Sequence, residues 1–228
     1  MTSQARDMAA GFEAARERMI QEQIADRGVK DPRVLQALRA VPREAFVDAS
    51  LRDRAYEDRP LPIGHGQTIS QPYIVARMCE LLGLQGQERV LEIGAGCGYQ
   101  TAVLAQLAGT VYGVEIVPDL AQRACDNLAT VGVKNAVVDC FDGTAGWRDH
   151  APYDGIVVAA GAPRVPVLLL DQLADGGRLV IPVGPREDQV LTVFRRRGDE
   201  FESRREAPVR FVDLVGRYGW GGRGPAEA

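Results

Sequence analysis

Apolar residues recur at helical spacing near the start of the chain: Ala9, Phe12, Ala15, Met19 and Ile24 mark a helix from about Ala5 to Ile24, with Gly28 as its stop. A second helix is predicted from Asp31, a capping side chain with Pro32 behind it, to about Val41, where Pro42 ends the pattern. Between Arg59 and Pro72 the periodicity disappears. Three prolines and two glycines there exclude regular structure, so a long irregular loop is expected. Ser70 then reads as the N-cap of a helix that has Pro72 in its first turn and runs to about Leu82.

From Arg89 the pattern alternates between short apolar runs and helical stretches. Strands are expected at Arg89–Ile93, Val111–Glu115, Val137–Cys140, Asp154–Ala160 and Arg178–Val183, the last after a Gly176-Gly177 turn. Helices are expected at Gly98–Ala108, Pro118–Val131 and Val165–Leu173. Two further strands, Val190–Arg195 and Val209–Val215, would close one edge across a charged stretch containing Gly198. This alternation gives an α/β fold, a seven-stranded and mostly parallel doubly wound sheet with a helical layer ahead of it. No linker or internal repeat divides residues 1–228, so one domain is expected. It would comprise helices and the long loop to about 82, a sheet core over about 83–217, and a glycine-rich tail, 218–228, frayed at its end.

Composition narrows the function. At 46% apolar residues the chain can bury a core, and its net charge of −4 argues against a nucleic-acid partner. No apolar run approaches a membrane span, and the first twenty residues lack the apolar stretch of a secretory leader. Neither a membrane nor export is expected, which gives a cytoplasmic protein. Cys79, Cys97, Cys125 and Cys140 form no C-x-x-C pair, and with only His65 and His150 beside them no metal pattern arises. Neither histidine sits in a hydrolase motif, so triad chemistry is disfavoured.

The candidate chemistry begins at Arg89-Val-Leu-Glu-Ile-Gly-Ala-Gly-Cys-Gly-Tyr99, which sets Gly94, Gly96 and Gly98 directly after the first of these strands. A dinucleotide fingerprint would need its third glycine where Tyr99 stands, so a pyrophosphate clamp and an NAD-dependent oxidoreductase are disfavoured. The glycines still let backbone approach a ligand, and Glu92 beside them suits a cationic one. S-adenosyl-L-methionine, which carries an ammonium and a sulfonium but no phosphate, fits. Glu115, 21 residues past Gly94, ends the second strand where a carboxylate can accept from a ribose diol. Asp142-Gly143 follows the third, where the acid can accept from an adenine amino group while the glycine lets the ring lie on backbone. Structural readings exist for each acid: Glu115 as a charge ahead of Pro118, Asp142 as a turn residue.

Four segments carry a family resemblance: Leu61–Pro72, Arg89–Thr101, Gly176–Gly184 and Val209-Arg-Phe-Val212. Together they resemble the protein-L-isoaspartate O-methyltransferases, over about Met19 to Trp220. Thr68-Ile-Ser-Gln-Pro72 is the specific part, since other methyltransferases share only the glycine loop. The resemblance implies a Rossmann-like S-adenosylmethionine-dependent methyltransferase fold. It also implies methyl transfer to the free carboxylate of L-isoaspartyl residues in damaged proteins and peptides, beginning repair through a succinimide. It places Ser70 in the active site, Thr68 and Ile69 against the cofactor, and Thr68, Ser70, Val212 and Leu214 near the substrate. Phe141 replaces a glycine that commonly precedes the Asp-Gly pair, and Asp213 replaces a proline, bringing an anion close to where an anionic substrate would dock.

A carboxylate nucleophile is ionised at neutral pH, with a pKa of about 3.3–3.7, and needs no general base. Ser70 would orient the carboxylate or the cofactor through its hydroxyl, and the Arg59–Ile69 loop would cover the substrate, the alternative being a rigid structural wrap. Alternatives are a related methyltransferase acting on an aspartate of a dedicated modified peptide or on a small molecule, and a cofactor-binding protein without catalysis. His65 is expected to be solvent-facing or backbone-bonded, and Cys97 to be a packing residue. The arginines at 195–197 and 204–205, interleaved with Glu200, Glu202 and Glu206, are expected on a solvated hairpin. No heptad or long apolar edge favours assembly, so a monomer is expected.

Overall fold

In the computed structural model, which describes residues 3–221, two apolar clusters lie on opposite faces of one sheet. The first helix, α1 (Ser3–Arg18), continues without a break into π-helical turns at Met19–Ala25 that bury Met19, Ile20 and Ile24. Next comes α2 (Pro32–Ala40), where the Asp31 side chain accepts from the Arg33 backbone N–H at 2.8 Å, the expected cap. Short 3₁₀ turns at Arg43–Phe46 and Ala49–Arg54 lead into the segment expected to be irregular.

That segment is instead a hairpin, β1 (Leu61–Gly64) and β2 (Gln67–Ile69). Of its three prolines only Pro62 lies in a strand, on a two-stranded ribbon with no further partner strand, and Gly64, His65 and Gly66 turn it with positive φ at all three residues. The following helix, α3 (Pro72–Leu82), is capped by Gln71 without a side-chain bond. Ser70 is therefore not its N-cap: Pro72 occupies the first helical position, which moves the cap one residue on.

The sheet is built from β3 (Arg89–Ile93), α4 (Tyr99–Ala105), β4 (Thr110–Glu115), α5 (Pro118–Thr130), β5 (Ala136–Cys140), β6 (Tyr153–Val158), α6 (Val167–Leu170), β7 (Leu173–Val183), β8 (Gln189–Arg197) and β9 (Glu200–Val209). Its order is β5-β4-β3-β6-β7-β8-β9, parallel through β7 and antiparallel beyond. The chain runs outward from β3 to β5 and then returns to place β6 on the other flank of β3. The carboxyl ends of β3 and β6 thus frame the crevice where open α/β sheets bind ligands. Beyond Arg89, β3 is apolar on both faces apart from Glu92, because both faces are covered: Val90 joins one cluster, Leu91 and Ile93 the other. α3 lies against β6 and β7, and α2 packs on α3 and α4, which forms the expected N-terminal layer.

Three boundaries differ from expectation. α6 is a single turn, and β7 already begins at Leu173, running through Gly176-Gly177 rather than starting after them. The last long strand is the charged Glu200–Val209, not Val209–Val215. An edge strand needs an apolar face less than it needs protection from pairing with another chain, and the Arg197–Glu202 and Arg204–Glu206 ion pairs supply charge there. Past β9 the chain crosses the sheet end, where Asp213 bridges to Gly161, and Val215–Gly216 (β10) pairs with Trp220–Gly221 (β11). The start of the expected tail is thus tied down; its frayed end falls at 222–228, outside the described residues.

Candidate active site

After β3 the backbone takes left-handed conformations at Gly94 (φ 85°), Gly96 (56°) and Gly98 (86°), a path that side chains rarely follow. The N–H groups of Gly94 and Ala95 donate to the Val114 carbonyl at 2.8 and 3.1 Å, closing the turn onto β4. Gly98 does not reach the cavity. It opens α4 and admits α5, since a Cβ there would sit 3.2 Å from Ala124 backbone.

Glu115 ends β4 almost fully buried, 6% exposed, and joins two loops: one oxygen accepts from the Gly96 N–H at 2.8 Å, the other from the Val117 N–H at 2.9 Å. Each oxygen retains acceptor capacity toward a ligand. Glu92 is fully buried. One of its oxygens accepts from the Thr101 hydroxyl, and the other, Oε1, has no partner. Burial pushes its carboxyl up to about 8, opposed by the Thr101 hydrogen bond and aided by the charge of Glu115. The buried Nε2 of Gln100 is also unpartnered, and Glu92 and Gln100 line one small cavity together with Ile69 and Ser70.

The main cavity lies over the ends of β3 and β4, between Gly94, Gly96, Glu115, Phe141, Gly143, Ala159 and the Val212–Leu214 crossing. Ile116, 40% exposed, stands at its wall. A Cβ on Gly143 would come within 3.0 Å of Ile93 and Val114, so the glycine keeps this wall thin. None of the described lining residues is basic. Asp213 lines the cavity but is paired with Arg186 at 2.7 Å, so the anion anticipated beside the substrate is compensated within the protein.

Asp142 departs from expectation. Its Oδ1 accepts from the Thr144 N–H and hydroxyl at 2.9 and 2.6 Å, and its Oδ2 from the Arg217 N–H at 2.7 Å. The carboxylate caps the following 3₁₀ turn and binds the β10 segment instead of lining the cavity. Against the opposing effect of partial burial, those hydrogen bonds hold its pKa below the usual range.

A second, groove-like cavity runs along β9 and α3, with Arg27, Tyr73, Pro208, Phe211 and Val212 in its walls. Ser70 borders this groove and the small cavity, while Thr68 borders the groove, the small cavity and the main cavity. Val212 lies between the groove and the main cavity, whereas Leu214, expected near the substrate, is buried on the main-cavity side only. Ile63, Ile116, Tyr73 and Phe211 were not singled out as site residues, because an apolar residue in a strand, a first helical turn or a loop carries no local mark of a ligand.

His65, at the hairpin tip, is half-exposed and 3.2 Å from Asp119. Cys97 is buried, its thiol pushed up to about 11 by burial, as suits a packing residue.

This chemistry suits an adenosyl sulfonium: a fixed acid with spare acceptor capacity at the end of β4, an unpartnered buried carboxylate oxygen for a cationic end, and no basic lining for a phosphate. A family model described as "Protein-L-isoaspartate(D-aspartate) O-methyltransferase (PCMT)" matches residues 14–219. The chain belongs to this family. A Syntrophobacter fumaroxidans protein-L-isoaspartate O-methyltransferase 1 is 54% identical over 211 residues, 92% of this chain and 99% of the relative. A Pelobacter propionicus protein-L-isoaspartate O-methyltransferase 2 is 55% identical over 210 residues, 91% of this chain and 93% of the other. Among solved structures, a protein-L-isoaspartate O-methyltransferase superposes with a TM-score of 0.81 at 30% identity, covering 90% of this chain and 67% of that one. A Plasmodium falciparum protein assigned to the same activity, crystallised with S-adenosyl-L-homocysteine, gives 0.75 at 26% identity, covering 88% and 98%. The seven-stranded, mostly parallel sheet is the Rossmann-like methyltransferase fold of this family.

Proposed function

We infer that the chain transfers a methyl group from S-adenosyl-L-methionine to the free carboxylate of L-isoaspartyl residues in damaged proteins, initiating repair through a succinimide. The observation that carries this reading is the position of Thr68-Ile69-Ser70. A strap specific to this family separates a cavity suited to the cofactor from a groove able to admit extended peptide.

The bound cofactor supplies a sulfonium methyl group, and the chain supplies the site. Gly94 and Gly96 offer close backbone, and Glu115, fixed by two backbone bonds, accepts from the ribose hydroxyls. Ile116, Phe141 and Gly143 form the apolar slot for adenine, the part first assigned to Asp142. Glu92 and Gln100 receive the amino-acid end. Gly98 and Asp142 act one step away, through α5 packing and the β10 crossing. Thr68 and Val212 form the boundary at which cofactor and substrate meet, and the Ser70 hydroxyl orients the carboxylate. Such alignment of an already ionised nucleophile can contribute roughly 7–11 kcal/mol, and the reaction requires no proton transfer from the protein.

The same reading makes the enzyme a cytoplasmic monomer acting on isoaspartyl proteins and peptides. Four free thiols support a reducing compartment. No described helix is long and apolar enough to cross a membrane. The reading is tested by transfer of labelled methyl to an isoaspartyl peptide with its aspartyl isomer as control. Label is expected on the first alone; equal labelling of both, or of neither, contradicts it.

A further inference from the structure

Arg43 is fully buried, yet its partners are carbonyls and a ring, not a carboxylate. Its Nε donates to the Ala55 carbonyl at 2.7 Å and its Nη2 to the Ser70 carbonyl at 2.8 Å. The guanidinium carbon lies 4.8 Å from the centre of the Tyr99 ring, in the turn of α4 that follows the glycine loop. Nη1 has no partner. Burying an unpaired cation costs several kcal/mol, which an apolar side chain would avoid. Filling space therefore does not explain an arginine here.

What distinguishes its two carbonyl partners is where they fall along the chain. Ala55 lies six residues ahead of β1 and Ser70 directly follows β2, so one planar fork ties the chain entering the hairpin to the chain leaving the ribbon that carries Thr68. The ring beneath references that fork to α4. The hairpin by itself is a marginal two-stranded ribbon. Its tip is held separately, by Arg123 of α5 donating to the Ile63 carbonyl at 3.0 Å.

We propose that Arg43 is a positioning residue for methyl transfer, a clamp at the base of the hairpin that fixes Thr68 and Ser70 at the boundary between cofactor cavity and substrate groove. The proposal rests on the roles given above to Thr68 and Ser70. A lysine keeps a long basic side chain but lacks the planar fork that reaches both carbonyls, so Arg43→Lys removes the two-point grip with the least change in size.

The test compares the parent with Arg43→Lys, Arg43→Met and Ser70→Ala. Phe46→Leu serves as control: its ring packs edge-on to Tyr99 at 5.5 Å but its side chain does not bond the strap. For each, kcat and KM for an isoaspartyl peptide, the Kd of S-adenosylhomocysteine and Tm are measured. Displacing the strap by a fraction of an ångström to an ångström predicts that Arg43→Lys loses about tenfold to a hundredfold in kcat. Its Kd stays within about threefold, while Phe46→Leu loses comparable Tm and keeps its kcat. Arg43→Lys with parental kcat, or a loss matched by Phe46→Leu at equal Tm, overturns the clamp. Failure of both Arg43 variants to fold also overturns it, assigning the residue to stability alone. Parental turnover in Ser70→Ala would instead overturn the reading of the strap itself, so the two failures are distinguishable.

Discussion

The carboxylates of this site differ in what surrounds them, and that decides their work. Glu115 is held by two N–H donors and lines the main cavity, whereas Asp142, bonded to the Thr144 turn and the Arg217 backbone, does not line it. Glu92 has one oxygen without a partner, and burial raises its pKa from the usual 4.5 to about 8. Below about pH 4.5 the native and unfolded forms both carry the proton. Between about 4.5 and 8 the unfolded chain releases it while the native one retains it, so stability from this group falls as pH rises. Glu92→Gln cannot lose a proton, and its Tm relative to the parent is expected to climb from pH 5 to pH 8. A cationic ligand beside Glu92 favours the ionised form, so S-adenosylmethionine affinity in the parent should strengthen over the same range with proton release, seen as buffer-dependent heat in calorimetry. Glu92→Gln should show neither effect; a pH-independent Tm difference with no proton release would contradict this assignment. At Ser70 the account predicts that Ser70→Ala lowers kcat at least about tenfold while S-adenosylhomocysteine affinity and Tm barely move, because the hydroxyl caps no helix. Parallel loss of turnover, affinity and Tm would return the residue to a structural role.

At the scale of elements, the sheet was legible because β3, β4 and β6 are largely buried on both faces and read as short, mostly apolar runs. Glu115 was legible because its distance from Gly94 follows from the strand–helix–strand geometry between them. The hairpin was not, since Pro60, Pro62, Gly64 and Gly66 read as breakers, whereas Pro60 precedes the ribbon, the glycines form its turn, and a two-stranded ribbon tolerates Pro62. Charged β9 was missed for a related reason: an edge strand shows no apolar alternation. Asp142 fits two descriptions, ligand acceptor and turn cap, and only the return of the chain at Arg217 chooses between them. Arg43 gave no signal, because an arginine after Pro42 reads as a surface residue until the fold encloses it. Helix packing offers a direct check on the glycine loop. Gly98→Ala would place a Cβ 3.2 Å from Ala124 backbone at a φ of +86°. It should cost roughly 1–3 kcal/mol, or about 5 °C in Tm. Thermal melting indistinguishable from the parent would show that α4 and α5 do not depend on this approach.

Across the whole molecule, the two apolar clusters hold the sheet rigid while its carboxyl end is built from segments far apart in sequence: the glycine loop, Glu115, the 141–143 turn, the 212–214 crossing and the hairpin strap. Family membership and the reaction follow from the motifs, but the division of labour follows from which cavity each residue borders. Thr68 is the point where those cavities meet. The most direct measurement is a crystal structure with S-adenosylhomocysteine and an isoaspartyl peptide bound together. The account predicts ribose on Glu115, adenine between Ile116 and Phe141, and peptide along the groove with the free α-carboxylate of its isoaspartyl residue within hydrogen-bond reach of the Ser70 hydroxyl. A nucleoside lodged away from Glu115, or a peptide bound outside the groove, would contradict it.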